Sequence, residues 1–356
     1  MQPVIGLAVG RGTGPELAAV FERVLARITD VHATDVGVVR SDRIYHSYAS
    51  LGTGAGIDRA RDLTRDDADH YTDFCRTQAA LGTTAVFRTA INAQSLYLVR
   101  QRLRAVKVDL IAGRDVSLLL VRDAAQGFYT GENIHVADAL VRTMTFSREI
   151  TAKVVAFALD RARRQWPDGG ADEIVMAYKF HLLDGALDGW AAECAARHGV
   201  RIRLCQPDTV NRDLVERGPA PRTLIIAGNE WADIMHVMLL DRFASERQES
   251  RSTENVYLHP DVAGLAEYQT VHGSADDLAG TNTVNPVATV RAAAMIAERH
   301  AGCAGAVRQV EQSLAALARR GVGTPDTGGA HSTTAVVDAL IDALEPERRP
   351  LQTAES

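Results

Sequence analysis

Val271-His272-Gly273-Ser274-Ala275, followed by Asp277-Leu278-Ala279-Gly280 and Asn285-Pro286, is the most informative stretch of this chain. Its glycines and serine let the backbone come close to a bound group, because no bulky Cβ substituent stands in the way. On residue type alone, Asp277 in such a polar loop is an Asx-turn or a helix cap. Upstream of the loop, short apolar runs and amphipathic helical stretches alternate, which is the pattern of an α/β fold with mixed strands.

The alternation begins at the N-terminus. Val4 to Val9 is a short apolar run, Gly10-Arg11-Gly12-Thr13-Gly14-Pro15-Glu16 a tight loop, and Leu17 to Ile28 a helical pattern. The three glycines are spaced two apart, so this is not the G-x-G-x-x-G of a Rossmann pyrophosphate site. Residues 41 to 70 read as polar and turn-rich, with a helix over Thr64 to Cys75 and a strand near Ala79 to Val86. Further strands are expected at Ser117 to Val121, Glu173 to Tyr178, Arg201 to Cys205 and Thr223 to Ala227. Helices are expected at Arg148 to Arg164, Gly185 to Arg197, Ala232 to Ala244, Ala288 to His300, Ala304 to Arg319 and Ser332 to Leu344.

With 356 residues, 46% hydrophobic and 24% charged, the chain can bury a large core in two domains or one elaborate one. No apolar run approaches the roughly eighteen residues of a membrane helix, and the N-terminus lacks a signal-peptide pattern, so a cytoplasmic protein is expected. Cys75, Cys194, Cys205 and Cys303 are scattered without C-x-x-C spacing and read as buried thiols. A net charge of −6 without a basic, aromatic-bearing stripe argues against nucleic acid and for a small substrate. Of 39 basic residues only Lys107, Lys153 and Lys179 are lysine. A chain that otherwise uses arginine has reason to keep lysine where a titratable amine is needed.

Arg100, Arg102, Arg104, Arg114 and Arg122 lie within 23 residues. Such a group is either a solvated basic face or a clamp for a substrate with two or more carboxylates. Seven residues after Arg122 comes Tyr129, in Val121-Arg122-Asp123-x-x-x-Gly127-Phe128-Tyr129-Thr130-Gly131-Glu132. Ala177-Tyr178-Lys179-Phe180-His181 closes an apolar strand.

Together these segments resemble the β-decarboxylating dehydrogenases, the isocitrate and 3-isopropylmalate dehydrogenase family, from about Val4 to Leu344. Residues 121 to 132 are similar to the family's V-R-E-N-x-x-G-x-Y-x-G-x-E, and 271 to 286 to its adenosine-binding loop. Thr324-Pro325-Asp326-Thr327-Gly328-Gly329 before Ser332-Thr333 resembles its C-terminal T-x-D-x-G-G-x-x-S-T. The resemblance implies an isopropylmalate dehydrogenase-like two-domain α/β fold with a mixed β-sheet and a non-Rossmann cofactor site. Residues 1–108 and 241–356 would form a large, discontinuous cofactor domain, and 109–240 a small central domain with a dimerisation arm. It further implies Arg104, Arg114 and Arg122 as substrate-carboxylate arginines, with Arg100 the rival for the first place and Ser95 a substrate contact. Tyr129 would protonate the enol left by CO2, and Lys179 and Asp208 would be supplied to each site by the partner subunit. Asp208 and Asp233 match two of three aspartates that hold Mg2+ or Mn2+, while Val237 stands in the place of the third. Two carboxylates with substrate oxygens can suffice for magnesium, and loss of cation binding is the competing reading. At the cofactor loop the implied contacts are His272, Gly273, Ser274, Ala275, Asp277, Leu278 and Asn285. The Asp277 carboxylate would accept ribose hydroxyls and repel a 2′-phosphate, favouring NAD over NADP.

The activity so implied is NAD-dependent oxidative decarboxylation of a 3-carboxy-2-hydroxy acid by a homodimer that binds neither nucleic acid nor membrane. A non-catalytic ligand-binding subunit and a dehydrogenase of the same fold with different substrate chemistry are the alternatives. Arg11 replaces the aspartate usual in the family's first glycine loop, and the departures at Tyr97, Asp115, His181 and Val237 point to a specialised pathway.

Overall fold

The computed structural model describes residues 2–52, 56–244, 251–270 and 273–345. It starts with β1 (Val4–Gly10), whose residues after Val4 are all buried. Such an unbroken apolar run belongs to a strand covered on both faces. β1 pairs in parallel with β2 (Gly37–Tyr45) and β3 (Ala85–Arg88). Between the first two runs α1 (Gly14–Val31), with a proline in its first turn and Leu17, Phe21, Val24, Leu25 and Ile28 buried. α2 (Tyr48–Gly52), α3 (Ile57–Ala80) and α4 (Ala93–Arg102) follow, then β4 (Ala105–Ala112) and β5 (Ser117–Asp123) as an antiparallel hairpin.

A two-stranded arm, β6 (Glu132–Val136) and β7 (Ala139–Thr143), stands apart from the main sheet. The chain continues through α5 (Arg148–Gln165), β8 (Glu173–Ala177), α6 (Ala186–His198), β9 (Arg203–Cys205), α7 (Pro207–Arg217), β10 (Arg222–Gly228) and α8 (Asn229–Phe243). It ends with β11 (Ser252–Tyr257), β12 (Ala266–Thr270), α9 (Val287–His300), α10 (Ala306–Arg319) and α11 (Thr333–Ala343). Among the described residues the main sheet has ten strands in the order β2-β1-β3-β12-β11-β4-β5-β10-β8-β9. β11 runs antiparallel to both of its neighbours, so the sheet is mixed, as expected.

Helices cover both faces of each half. In the first half α1, α9, α10 and α11 pack on one face, and α3 and α4 on the other through Tyr71, Cys75, Leu96 and Val99. In the second half α5 and α6 lie on one face, and α7 and α8 on the other through Val210, Leu214, Met235 and Leu239. Cys75, Cys194 and Cys303 are buried, Cys205 is partly so, and all four are free. No described helix is long and apolar enough to cross a membrane.

Three departures from the expected secondary structure bear on the site. The polar segment 41 to 70 holds the end of β2 and most of the long α3. β2 tolerates Arg40, Asp42 and Arg43 because it is the edge strand, where one row of side chains faces water. The strand expected near Ala79 to Val86 begins only at Ala85, since α3 runs to Ala80 and ends in a turn with Gly82 at φ +87. Third, β12 carries Ala266-Glu267-Tyr268-Gln269-Thr270 wholly buried at the centre of the sheet.

The buried acid of β12 is fully satisfied. Glu267 Oε1 accepts from Arg88 Nε at 2.9 Å and Asn255 Nδ2 at 2.9 Å. Oε2 accepts from the hydroxyls of Tyr71 and Tyr257, each at 2.7 Å. Burial pushes this carboxyl up, but Arg88 and Arg100 outweigh it and hold it below the usual range. Glu267→Gln leaves the buried Arg88 guanidinium uncompensated, and such a loss costs about 3–5 kcal/mol. A urea titration should show that drop, whereas a change within about 0.5 kcal/mol would mean the network carries no such weight.

Candidate active site

Four cations converge on a cleft of about 330 Å³ between the two halves of the sheet: Arg88, Arg100, Lys107 and Arg122. Arg88 ends β3 and Arg100 lies in the last turn of α4. Lys107 and Arg122 are direct cross-strand partners on β4 and β5, which puts both side chains on one face. α8 adds Asp233 and His236 to the wall, and Gly273 and Ser274 close its far end.

Arg122 is the best anchored of the four. Its Nε donates to Asn229 Oδ1 at 2.8 Å and its Nη1 to Asp233 Oδ1 at 2.6 Å. Nη2 is buried with no partner among the described residues. The guanidinium lies 5.4 Å from the Tyr129 ring centroid. Tyr129 sits in the single 3-10 turn Phe128–Thr130, and its hydroxyl donates to Asp233 Oδ2 at 3.3 Å. Its ring stacks on Tyr97 at 4.8 Å. Gly127, at φ +103, is required before this turn, because a Cβ there would stand 2.7 Å from Glu230 Oε2, which accepts from the Phe128 N–H. Burial and the Asp233 charge raise the Tyr129 hydroxyl above its ordinary value. Burial also pushes Asp233 up, but Arg122 and Lys107 prevail and hold it below the carboxylate range.

Arg100 donates to Gln269 Oε1 at 3.2 Å and lies 5.5 Å from the Tyr97 ring centroid, while its Nε is buried and unpaired among the described residues. Burial and neighbouring Arg88 lower its pKa. Lys107 is almost wholly buried, with Nζ 3.5 Å from Asp109 Oδ2. Burial lowers the Lys107 amine, Asp109 opposes, and Arg122 and Arg100 lower it further. His236 is buried beside Asp109, its pKa lowered chiefly by burial. Ser95 is buried in the first turn of α4 with its hydroxyl unpaired among the described residues.

The other expected arginines lie elsewhere. Arg104, in a left-handed turn at φ +54 after α4, bonds Glu149 at 2.7 Å. Arg114 is exposed in the β4–β5 turn, at the opposite end of the hairpin from Arg122. Arg88, Lys107 and His236 were not singled out as substrate contacts. The signal for Lys107 was its rarity as lysine and its period-two spacing to Asp109 on one strand face.

Lys179 and Asp208 form a pair away from this cleft. Lys179 Nζ donates to Asp208 Oδ1 at 2.6 Å and to Gln206 Oε1 at 3.2 Å, and lies 5.5 Å from the Trp231 ring centroid. The bond from Lys179 holds the exposed Asp208 carboxyl low. Both Asp233 oxygens are engaged, Val237 offers no oxygen, and no group of three His, Cys, Asp or Glu suited to a metal occurs among the described residues. The donors of one chain do not fit a divalent cation.

At the cofactor loop, Val271 and His272 lie outside the described residues. The Ser274 carbonyl accepts from Thr13 N at 2.9 Å and Thr13 Oγ1 at 3.0 Å. A Cβ on Gly12, at φ +72, would stand 2.4 Å from that oxygen, so the first glycine loop needs this glycine to pack on the second. Ala275 turns left-handed at φ 41. Asp276, one residue from the expected acid, is committed to Ser47 and Ser274. Asp277 is exposed and makes no hydrogen bond to another described residue, and Leu278 is exposed beside it. Asn285 ties the loop down, accepting from Val287 N at 2.9 Å and donating to Asp326 at 2.8 Å.

Behind Tyr129, Asp123 is buried and accepts from Ala125 N, Gln126 Nε2 and Tyr178 OH. Burial wins over these donors and pushes its carboxyl up to about 6. A raised folded pKa favours the neutral form, so this group's stability is full below the unfolded value near 4 and is lost as pH rises through 6. About 3 kcal/mol is at stake. Asp123→Asn should flatten the stability profile between pH 4 and 7 in parallel denaturant titrations; an unchanged slope would show that Asp123 ionises freely.

The family model described as isocitrate/isopropylmalate dehydrogenase matches residues 250–340. The chain is 26% identical to the 3-isopropylmalate dehydrogenase of Shouchella clausii, over 97% of this chain and 98% of that protein. It is likewise 26% identical to that of Rhodopirellula baltica, over 92% and 93%. In fold it resembles the isocitrate dehydrogenase of Methylococcus capsulatus, at TM-score 0.67 and 19% identity over 96% of this chain and 99% of that one. It also resembles the β-decarboxylating dehydrogenase of Thermococcus kodakarensis, at TM-score 0.63 and 20% identity over 96% of each chain.

Proposed function

We propose that this chain, as a divergent member of the isocitrate/isopropylmalate dehydrogenase family of β-decarboxylating dehydrogenases, oxidises and decarboxylates a 3-carboxy-2-hydroxy acid with NAD. The observation that carries this reading is the cleft in which Arg100, Arg122, Tyr129 and Asp233 meet within reach of the glycine-serine loop.

The cofactor loop fits a dinucleotide. Its backbone approaches openly at Gly273, the Asp277 carboxylate is available to ribose hydroxyls, and Leu278 offers an exposed apolar neighbour for a base. NAD held there would supply the hydride acceptor for C2. Arg122 and Arg100 hold the substrate carboxylates, and their buried, unpaired nitrogens leave hydrogen-bond capacity for them. The C2 hydroxyl proton passes to Lys179 of the partner subunit. After CO2 leaves, Tyr129 gives a proton to C3 of the enol, and its raised pKa keeps that proton on the hydroxyl at neutral pH. Because the donors do not fit a cation, no step is assigned to Mg2+ or Mn2+, and Arg104 and Arg114 receive no part. Tyr97, lying flat on Tyr129, gives the C3 substituent an aromatic face, so isocitrate should be a poor substrate.

A homodimer completes this site. Ile134, Val136, Leu140 and Val141 on the arm and Ile234 on α8 are exposed, apolar surface suited to a second copy. The pairing of Lys179 and Asp208 outside their own cleft agrees with donation to a neighbour's. Residues 1–108 and 241–356 then carry the cofactor, and 109–240 the arm and the donated lysine.

Initial-rate NADH formation across 3-substituted malates tests the assignment. Tyr129→Phe should lower kcat by about 10²–10⁴. Ligand binding without NADH from any of these acids would instead favour a non-catalytic subunit. Mixing Tyr129→Phe with Lys179→Met subunits after reversible dissociation should restore about a quarter of the wild-type rate, since half the dimers carry one intact shared site. No recovery would place Lys179 in its own chain's site or outside catalysis.

A further inference from the structure

Resting on the proposed substrate class, we infer that this cleft binds and turns over its acid without a divalent cation, with the Lys107 ammonium supplying the positive charge that stabilises the developing C2 oxyanion. Three observations carry this. First, the only carboxylate that α8 offers the cleft is engaged on both oxygens, by Arg122 and by Tyr129, and Asp208, which would enter from the partner with Lys179, is already bonded to that ammonium. One turn after Asp233 on α8, the side chain that would share its helix face is Val237, which is 52% exposed and has no oxygen.

Second, the cleft is already cationic. Arg88, Arg100, Lys107 and Arg122 all line it, and Arg100 donates to the neutral Gln269 rather than to an acid. Two unit charges 4 Å apart repel by roughly 4 kcal/mol at an effective dielectric of 20, and a dication would meet about twice that from each neighbour at such a distance. A further cation is therefore opposed by the same side chains that attract a polyanionic acid.

Third, Lys107 is held in a fixed place. It pairs across the strands with Arg122, lies almost wholly out of water, and spends one direction on Asp109 at 3.5 Å. An ammonium has three donors, so two remain for a ligand oxygen. In a water-poor wall, such a fixed charge stabilises an oxyanion far better than it would in solvent. No bond to Lys107 forms or breaks: C2 loses its hydride to NAD, the C3 carboxylate leaves as CO2, and the electron pair from that bond is held as the enolate until Tyr129 protonates it.

Manganese titration followed by electron paramagnetic resonance tests the cation claim on the full chain, alone and with D-malate, the smallest acid of this class. The expected result is no saturable Mn2+ binding below millimolar concentration and NADH formation unchanged in excess EDTA. Micromolar Mn2+ binding that disappears in Asp233→Asn, or activity lost in EDTA and restored by Mn2+, would overturn it. Calorimetry in EDTA tests the role of Lys107: Lys107→Met should weaken D-malate at least tenfold with the circular dichroism spectrum unchanged, and Lys107→Arg should recover most of the affinity. Equal affinity in wild type and Lys107→Met would overturn that role. If D-malate binds neither with nor without Mn2+, the substrate reading fails, while the manganese titration still decides the cation claim.

Discussion

A single buried carboxylate, Glu267, holds the centre of this molecule together. It gathers donors from α3, β3 and β11 onto β12 at the middle of the ten-stranded sheet. An unpaired carboxylate there would be prohibitively costly, so the four donors must arrive together. Their arrival fixes Arg88, which lines the cleft. Two residues further along β12, Gln269 receives Arg100. The strand that satisfies the core thus also spaces two of the cleft's cations, and the glycine-serine loop follows in sequence from its end. Placement of a ligand loop beyond the carboxyl end of a central strand is the general arrangement of open α/β sheets.

The second organising element is the triangle of Arg122, Asp233 and Tyr129. Asp233 holds the guanidinium and accepts the phenol, so the proposed proton donor and the proposed substrate-binding cation share one carboxylate. On the proposed reading, a substrate carboxylate arriving at Arg122 would compete with Asp233 for it, which would couple binding to the environment of the Tyr129 hydroxyl. The cations around this triangle favour a doubly or triply charged ligand.

Much of this architecture was legible in the sequence, for reasons specific to each element. The run at Val4 to Val9, the helix after Pro15 and the helices from Ala288 onward declare themselves by periodicity, because each buries one continuous apolar face. The segment from Val121 to Glu132 brings Arg122 and Tyr129 together, since a strand followed by a glycine turn leaves little freedom. β12 was hidden because its buried glutamate and glutamine look like surface residues until their partners are known. Arg114 was misjudged in position because spacing along the chain does not reveal a hairpin: β4 and β5 reverse between it and Arg122. Lys107 reached the cleft through the same reversal, which sequence spacing could not show. Asn285 and Asp276 stand in the expected loop but spend their polar atoms on holding it, leaving Asp277 as the acid free to meet a ligand.

The most direct measurement is the ratio of CO2 released to NADH formed, using acids labelled with carbon-13 in the C3 carboxylate. One labelled CO2 for each NADH, with the label absent from the 2-oxo product, is the predicted result. NADH with the label retained would mean simple alcohol oxidation, and would contradict the account of Tyr129 as the group that protonates a decarboxylated enol.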